Sequence, residues 1–162
     1  MAKVLMIDLE GTLIATAIPK NRFTKERVFH PKTDYGIRPH AHEFVREVFP
    51  IFDSVYLNTT ANEGLAVPIV EGIFGVKNVG YYHGNPSLPE HKTAGYEKFM
   101  GDTLVHVEDG LSSYELANLQ KFGFAYLRLR SWTIADAFIN VHNDDELLRV
   151  ADEIMRLPGM NL

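Results

Sequence analysis

The chain is expected to fold as a single α/β domain, 1–162, with a doubly wound, Rossmann-like parallel sheet. Two observations predict this. Short apolar runs of β type, among them Val4-Leu5-Met6-Ile7, Val55-Tyr56-Leu57 and Leu104-Val105-His106-Val107, alternate with stretches of helical periodicity. Such alternation implies right-handed βαβ units and a sheet covered on both faces. In addition, the polar residues Asp8, Glu10, Thr59, Thr60, Glu108 and Asp109 all fall at predicted strand ends. Parallel sheets bind ligands at the carboxyl ends of their strands, near the switch in strand order, so residues far apart in sequence would gather on one edge.

Taken in order, residues 3–8 read as a buried strand. Residues 13–37 are mixed, with Pro19, Pro31 and Gly36 breaking any long helix, and suit a short flap or minimal cap over a site. Pro39 to Phe49 reads as a helix, with Phe44, Val45 and Val48 at helical spacing and Pro50 or Phe52 as its stop. Asp53 to Asn58 is a strand, and Glu63 to Phe74 a helix containing Pro68. Val76 to Tyr82 suits a short strand, and Glu90 to Met100 a helix in spite of Gly95. Thr103 to Val107 is a strand. Ser112 or Ser113 caps a helix through Lys121, closed by Gly123. Phe124 to Leu129 is a strand, and Asp144 to Leu157 a helix with Asn143 as its N-cap.

Composition narrows the function. With 162 residues the chain can build one real core. Its 46% hydrophobic and 23% charged residues are those of an ordinary globular protein. A net charge of −5 gives no strong signal of general nucleic-acid binding, although Lys20, Arg22, Lys25 and Arg27 make a local basic patch. Without cysteine there is no thiolate catalysis and no Cys-type zinc site. No apolar stretch approaches the roughly 20 residues that span a bilayer, and no leader is visible, so a soluble cytoplasmic protein is expected.

The most informative segment is Asp8-Leu9-Glu10-Gly11-Thr12-Leu13. Two carboxylates at spacing two would share a face if the strand continued. Gly11 lets the backbone leave the strand sharply and approach a ligand. Phosphoryl transfer to an aspartate needs a carboxylate nucleophile, a divalent cation, donors for the phosphate oxygens and a proton source for the leaving group. Asp8 can serve as nucleophile. Glu10 can protonate the leaving group and later activate water. Thr59 can hydrogen-bond a phosphate oxygen, and Lys92 can reach the phosphate and neutralise Asp8. Asp109, helped by Glu108, can bind Mg²⁺ together with Asp8 and Glu10, since magnesium suits oxygen-rich sites. Gly11, Thr12, Asn58 and Thr60 complete the expected substrate-binding set.

These segments, in this order, resemble the four motifs of the haloacid dehalogenase (HAD) superfamily. Those motifs are D-x-D-G-T, a strand-end Ser/Thr, a Lys and a strand-end acidic pair. The likeness is strongest to small-capped or capless members of the RNA polymerase C-terminal-domain phosphatase type. Arg38-Pro39-His40 with Glu43-Phe44 is similar to their R-P-x-x-x-E-F helix start, and Ser131-Trp132 with Asn143-Asp144-Asp145-Glu146-Leu147-Leu148 to their tail. The resemblance covers nearly the whole chain. It implies a HAD-type fold and a Mg²⁺-dependent phosphoric monoester hydrolase working through an aspartyl-phosphate. The substrate would be a phosphoprotein, a nucleic-acid end or a small phosphorylated metabolite. A domain that binds a phosphorylated partner without turnover, or a phosphotransferase, are the alternatives.

The chain departs from the pattern in two places. Glu10 stands where the family usually has Asp, although Glu occurs there in its enolase-phosphatase branch, and Gly11 is more typical of the general hydrolases than of the C-terminal-domain phosphatases. At the second motif an ungapped match selects Asn58. One inserted residue selects Thr59 and keeps the spacing to Pro68, and Thr60 is a third choice. Lys98 is the alternative to Lys92.

Other features have plainer readings. His40 and His42 flank a helix start and read as surface or capping residues, and His106 as a core histidine. Trp132 with Phe138 reads as packing against the last helix. Tyr81-Tyr82-His83-Gly84-Asn85 can line the mouth of a site.

Overall fold

A computed structural model of the chain describes residues 1–16, 35–133, 135–136 and 144–160. Five strands form one sheet: β1 (Lys3–Ile7), β4 (Ser54–Leu57), β5 (Gly80–Tyr81), β6 (Thr103–Glu108) and β7 (Ala125–Arg128). They lie in the order β5-β4-β1-β6-β7, and every neighbouring pair is parallel. The chain first builds outward from β1 through β4 to β5, then crosses back to β6 and β7. The switch in strand order therefore falls at β1 and β6, where a crevice opens beyond the strand ends. The expected α/β architecture with a parallel, Rossmann-like sheet is what the chain adopts.

Alternation along the strands divides the core in two. Leu5 and Ile7 of β1 with Val105 and Val107 of β6 point to one face. There they meet Phe44, Val45 and Val48 of α1 (Ala41–Val48), Ala66 and Val70 of α2 (Glu63–Phe74), and Leu147, Val150 and Ile154 of the last helix, α4 (Glu146–Arg156). Val4, Met6 and Leu104 point to the other face, against Tyr82, Tyr96, Phe99 and Leu119 of α3 (Ser113–Lys121). His106 belongs to this second layer and is fully buried, with its Nδ1 2.8 Å from the Tyr96 hydroxyl. Burial and the nearby Lys92 charge push its pKa down to about 3, so it is a neutral core histidine, as expected.

The local signals set most element ends. Asn62 caps α2 by accepting from the Gly64 amide, and Gly75 closes it in the left-handed region at φ 67°. The helix runs on through Pro68. Ser112 and Glu115 form a complete capping box on α3. The segment expected to be a flap begins with β2 (Ile14–Thr16) paired antiparallel to β3 (Tyr35–Ile37). Its centre, 17–34, with Lys20, Arg22, Lys25 and Arg27, lies outside the described residues, as do Asn143 and Phe138. The last helix starts at Glu146 with Asp145 at its N-cap, which corrects the expected start at Asp144 with Asn143 as cap.

Two expected elements differ. The helix from Glu90 to Met100 is instead two short 3-10 turns, His91–Thr93 and Tyr96–Phe99. Ala94 is extended and Gly95 adopts φ 84°, which no α-helix accommodates. The strand from Val76 to Tyr82 is reduced to Gly80–Tyr81, after a left-handed Asn78. No helix among the described residues is long and apolar enough to cross a membrane.

Candidate active site

A cavity of about 460 Å³ opens beyond the carboxyl ends of β1, β4 and β6. Asp8, Glu10, Gly11, Thr59, Thr60, Lys92, Glu108 and Asp109 all line it. Its wall is mostly polar.

β1 ends at Ile7, and the chain then folds into a tight turn rather than continuing as a strand. The amides of Leu13 and Ile14 both donate to the Leu9 carbonyl, at 2.8 and 3.1 Å. Asp8 and Glu10 reach the same cavity through this turn, not through strand alternation. Gly11 takes φ 80° inside it. A Cβ there would lie 2.6 Å from Asp109 Oδ2 and 3.1 Å from Ser131 Oγ, so only glycine leaves room for the acidic cluster. The Gly11 amide is already committed to the Ile14 carbonyl at 2.8 Å. Toward the cavity the residue therefore supplies space, not a free amide donor.

Thr59 follows β4, and its Oγ accepts from the Ala61 amide at 3.2 Å, leaving the hydroxyl proton to donate. The Tyr81 hydroxyl braces this corner, 2.7 Å from the carbonyls of both Thr59 and Ala61. Two residues expected to contact substrate do not reach the cavity. Asn58 sits one position earlier, and alternation turns its side chain to the opposite side, where Nδ2 donates to the Lys92 carbonyl at 2.8 Å and to the Tyr96 hydroxyl at 2.7 Å. Thr12 is fully buried beneath the turn, outside the lining. Among the three second-motif positions, Thr59 and Thr60 face the cavity and Asn58 does not.

Lys92 comes from the first 3-10 turn, and its Nζ lies 3.7 Å from Asp8 Oδ2 and hydrogen-bonds Glu108 Oε1. Lys98 is elsewhere, with its Nζ over the Tyr82 ring at 4.7 Å. One carboxylate oxygen each from Asp8, Glu108 and Asp109 lie within 4.8 Å of one another. Three hard oxygen donors this close together, beside the Lys92 ammonium, are a donor set that suits Mg²⁺. Glu10 lines the same cavity but is not part of that trio.

Burial and the neighbouring carboxylates dominate the electrostatics. Burial, then Glu108 and Asp109, push Asp8 up to about 8, against the pull of Lys92 and the Leu9 amide. Burial likewise raises Glu108 to about 7, against the Lys92 charge. Burial disfavours the Lys92 ammonium, but Asp8 and Glu108 outweigh it and hold its pKa above the ordinary value. This has a testable consequence for stability. Without a cation, native Asp8 and Glu108 keep protons that the unfolded chain has released above pH 4–5. The native state then binds more protons, and stability falls as pH rises toward 7 and 8. His106 acts in the opposite sense below 6.5, so the net fall is expected above that pH. The melting temperature in chelator should drop between pH 6.5 and about 8.5, and Mg²⁺ should reverse the drop. Thermal melts with EDTA and with Mg²⁺ test this, and a flat profile in EDTA would contradict it.

His91, Glu115, Ser131 and Thr133 also line the cavity and were not anticipated as site residues. Only Glu115 had a usable signal, as the fourth residue of Ser112-Ser113-Tyr114-Glu115. Trp132 is buried, as expected of a packing residue, and its amide donates to the Gly11 carbonyl at 2.9 Å. The 81–85 segment stays out of the lining; His83 pairs with Glu63 at 2.9 Å instead. His40 precedes α1 without a side-chain cap and lies 3.3 Å from Asp145.

Arg38 is buried outside the lining and braces the Gly11 turn. Its Nε and Nη2 donate to the two oxygens of Asp144, each at 2.9 Å. Nη1 donates to the carbonyls of Gly11 at 3.0 Å and Thr12 at 3.4 Å, and Nη2 to that of Arg130 at 2.6 Å. The guanidinium thus ties the Gly11 turn to the approach of α4.

No protein-family model matches the chain, and no curated protein matches its sequence.

Proposed function

We propose that this protein is a Mg²⁺-dependent phosphomonoester hydrolase of the HAD type, working through a phosphoryl group carried on Asp8. One observation carries the reading: a buried carboxylate, a lysine ammonium 3.7 Å from it and two further carboxylates meet in a polar cavity at the sheet's switch point. The order of Asp8-Leu9-Glu10-Gly11-Thr12-Leu13, Thr59, Lys92 and Glu108-Asp109-Gly110 supports the same conclusion.

In this reaction the Asp8 carboxylate attacks phosphorus and the bond from phosphorus to the alcohol oxygen breaks. Glu10 delivers a proton to that oxygen as it leaves. Glu10 then takes a proton from water, whose oxygen attacks phosphorus, and the bond from phosphorus to Asp8 breaks to release inorganic phosphate. Thr59 and Thr60 offer hydroxyl donors to the equatorial oxygens, and Lys92 balances their charge. Asp8 and Asp109, with Glu108, would hold Mg²⁺, which when bound neutralises charge between nucleophile and phosphate.

The decisive experiment is hydrolysis of an aryl phosphate with and without Mg²⁺, extended to phosphopeptides, nucleotides and sugar phosphates. Metal-dependent release of phosphate is the expected result. Metal-dependent vanadate binding with no hydrolysis of any of them would overturn it in favour of a phosphate-binding domain.

A further inference from the structure

Lys92 sits where regular secondary structure gives it little support. Its turn is only three residues long, and Glu90 ahead of it makes no side-chain cap. After it the chain goes straight into extended Ala94 and left-handed Gly95. Backbone bonds hold the Thr93 amide to the Glu90 carbonyl at 2.8 Å and the His91 carbonyl to the Asn85 amide at 3.0 Å, and side chains take up the remaining peptide groups around Lys92. Glu115 Oε2 accepts from the Lys92 amide at 2.7 Å, and Asn58 Nδ2 donates to the Lys92 carbonyl at 2.8 Å. Asn118 Nδ2 donates to the Thr93 carbonyl at 2.7 Å, and the Thr93 hydroxyl to the Glu115 carbonyl at 3.1 Å.

We propose that Glu115 is a positioning residue for Lys92, clamping the lysine's amide to the amino end of α3 and thereby fixing its Nζ against Asp8 and Glu108. The helix cap uses only one of the two carboxylate oxygens, Oε1, which accepts from the Ser112 amide at 3.0 Å. The other oxygen is turned to Lys92, outside the helix, and capping does not explain it. With both oxygens engaged by N–H donors, the Glu115 side chain is oriented as a strut. A carboxylate accepting from an amide makes one of the stronger hydrogen bonds available. Any rotation of the Lys92 peptide is magnified along its side chain. A misplacement of about 1 Å can lower a rate on the order of a hundredfold. The role assigned to Lys92 rests on the phosphatase reading; the clamp does not.

Glu115→Gln is the test, in the full chain. Glutamine preserves an S-x-x-Q cap but has one acceptor oxygen for two N–H donors. The expected result is a fall in kcat for aryl phosphate of about 10- to 100-fold with a smaller change in KM. In a Lys92→Met background the same substitution should change the remaining rate by less than about twofold, because its effect passes through the lysine. An equal proportional loss in both backgrounds would overturn the proposal. Hydrogen exchange at the Lys92 amide provides a readout independent of turnover. It should accelerate about tenfold or more in Glu115→Gln, while the amides of β1 keep their rates. An unchanged Lys92 amide would overturn the clamp even in a protein that hydrolyses nothing. Absence of hydrolysis in the wild type would instead count against the phosphatase reading.

Discussion

Asp8→Asn is expected to abolish turnover and, in the absence of metal, to make the protein more stable. The loss of rate follows from chemistry: an amide is a poor nucleophile, and removing a nucleophile costs on the order of 10⁵-fold or more in well-studied enzymes. The gain in stability follows from position. Burial raises Asp8 to about 8 in spite of Lys92, so the native state holds its ionised form at a penalty. Asparagine carries no charge and relieves the repulsion with Glu108 and Asp109. The melting temperature in EDTA should therefore rise relative to wild type at pH 8 or above, with a smaller gain at pH 6, where Asp8 is already protonated. Paired phosphatase assays and melts test both halves. Full turnover by Asp8→Asn would eliminate the covalent mechanism, and lower stability at pH 8 would contradict the electrostatic account.

Arg38→Ala is expected to have the largest effect on folding. The five hydrogen bonds of its guanidinium match the five N–H donors the group possesses, and both Arg38 and Asp144 are almost fully buried. Truncation leaves buried Asp144 with Arg130 Nη2, at 3.1 Å, as its one cationic partner among the described residues, and strips donors from the carbonyls of Gly11 and Arg130. Breaking such a pair typically destabilises by about 3–5 kcal/mol. For a chain of this size that corresponds to a fall in Tm of roughly 10 °C or more. Arg38→Lys should recover little, because a single ammonium cannot reproduce a planar fork. Thermal or urea unfolding measures the effect, and a shift under about 2 °C would contradict the assignment.

Much of the site was legible in the sequence because strand ends are legible. Val4 to Ile7 and Leu104 to Val107 are apolar enough to be recognised as buried strands, and in a parallel sheet the polar residues after them converge. From that pattern alone Asp8, Glu108 and Asp109 belong at one end of the sheet. Lys92 was harder. Its segment has helical composition, but Gly95 and the closeness of Gly84 to the His91 carbonyl shape it into turns, and such contacts depend on the tertiary fold. The hydrogen bond from Asn58 to the Lys92 carbonyl was hidden for a related reason. A one-residue difference decides which side of the strand a polar group faces, and only register resolves it. Arg38 carries no local mark of its burial, since its partner Asp144 lies 106 residues away.

The sheet's strand order also bears on how the chain reaches its native state. β1 precedes the other four strands of its sheet in the chain and is the central one in the finished sheet, between partners β4 and β6. The side-chain contacts beside those pairings join residues 50 and 100 positions apart, Lys3 with Asp53 and Ala2 with Asp102. Until β6 has been made, Val4-Leu5-Met6-Ile7 has at least one uncovered edge. Such long-range pairing slows folding and leaves a sticky segment available for mispairing. The nascent chain is thus most vulnerable to aggregation at the strand that will bear Asp8, and slow synthesis or early truncation should expose it most.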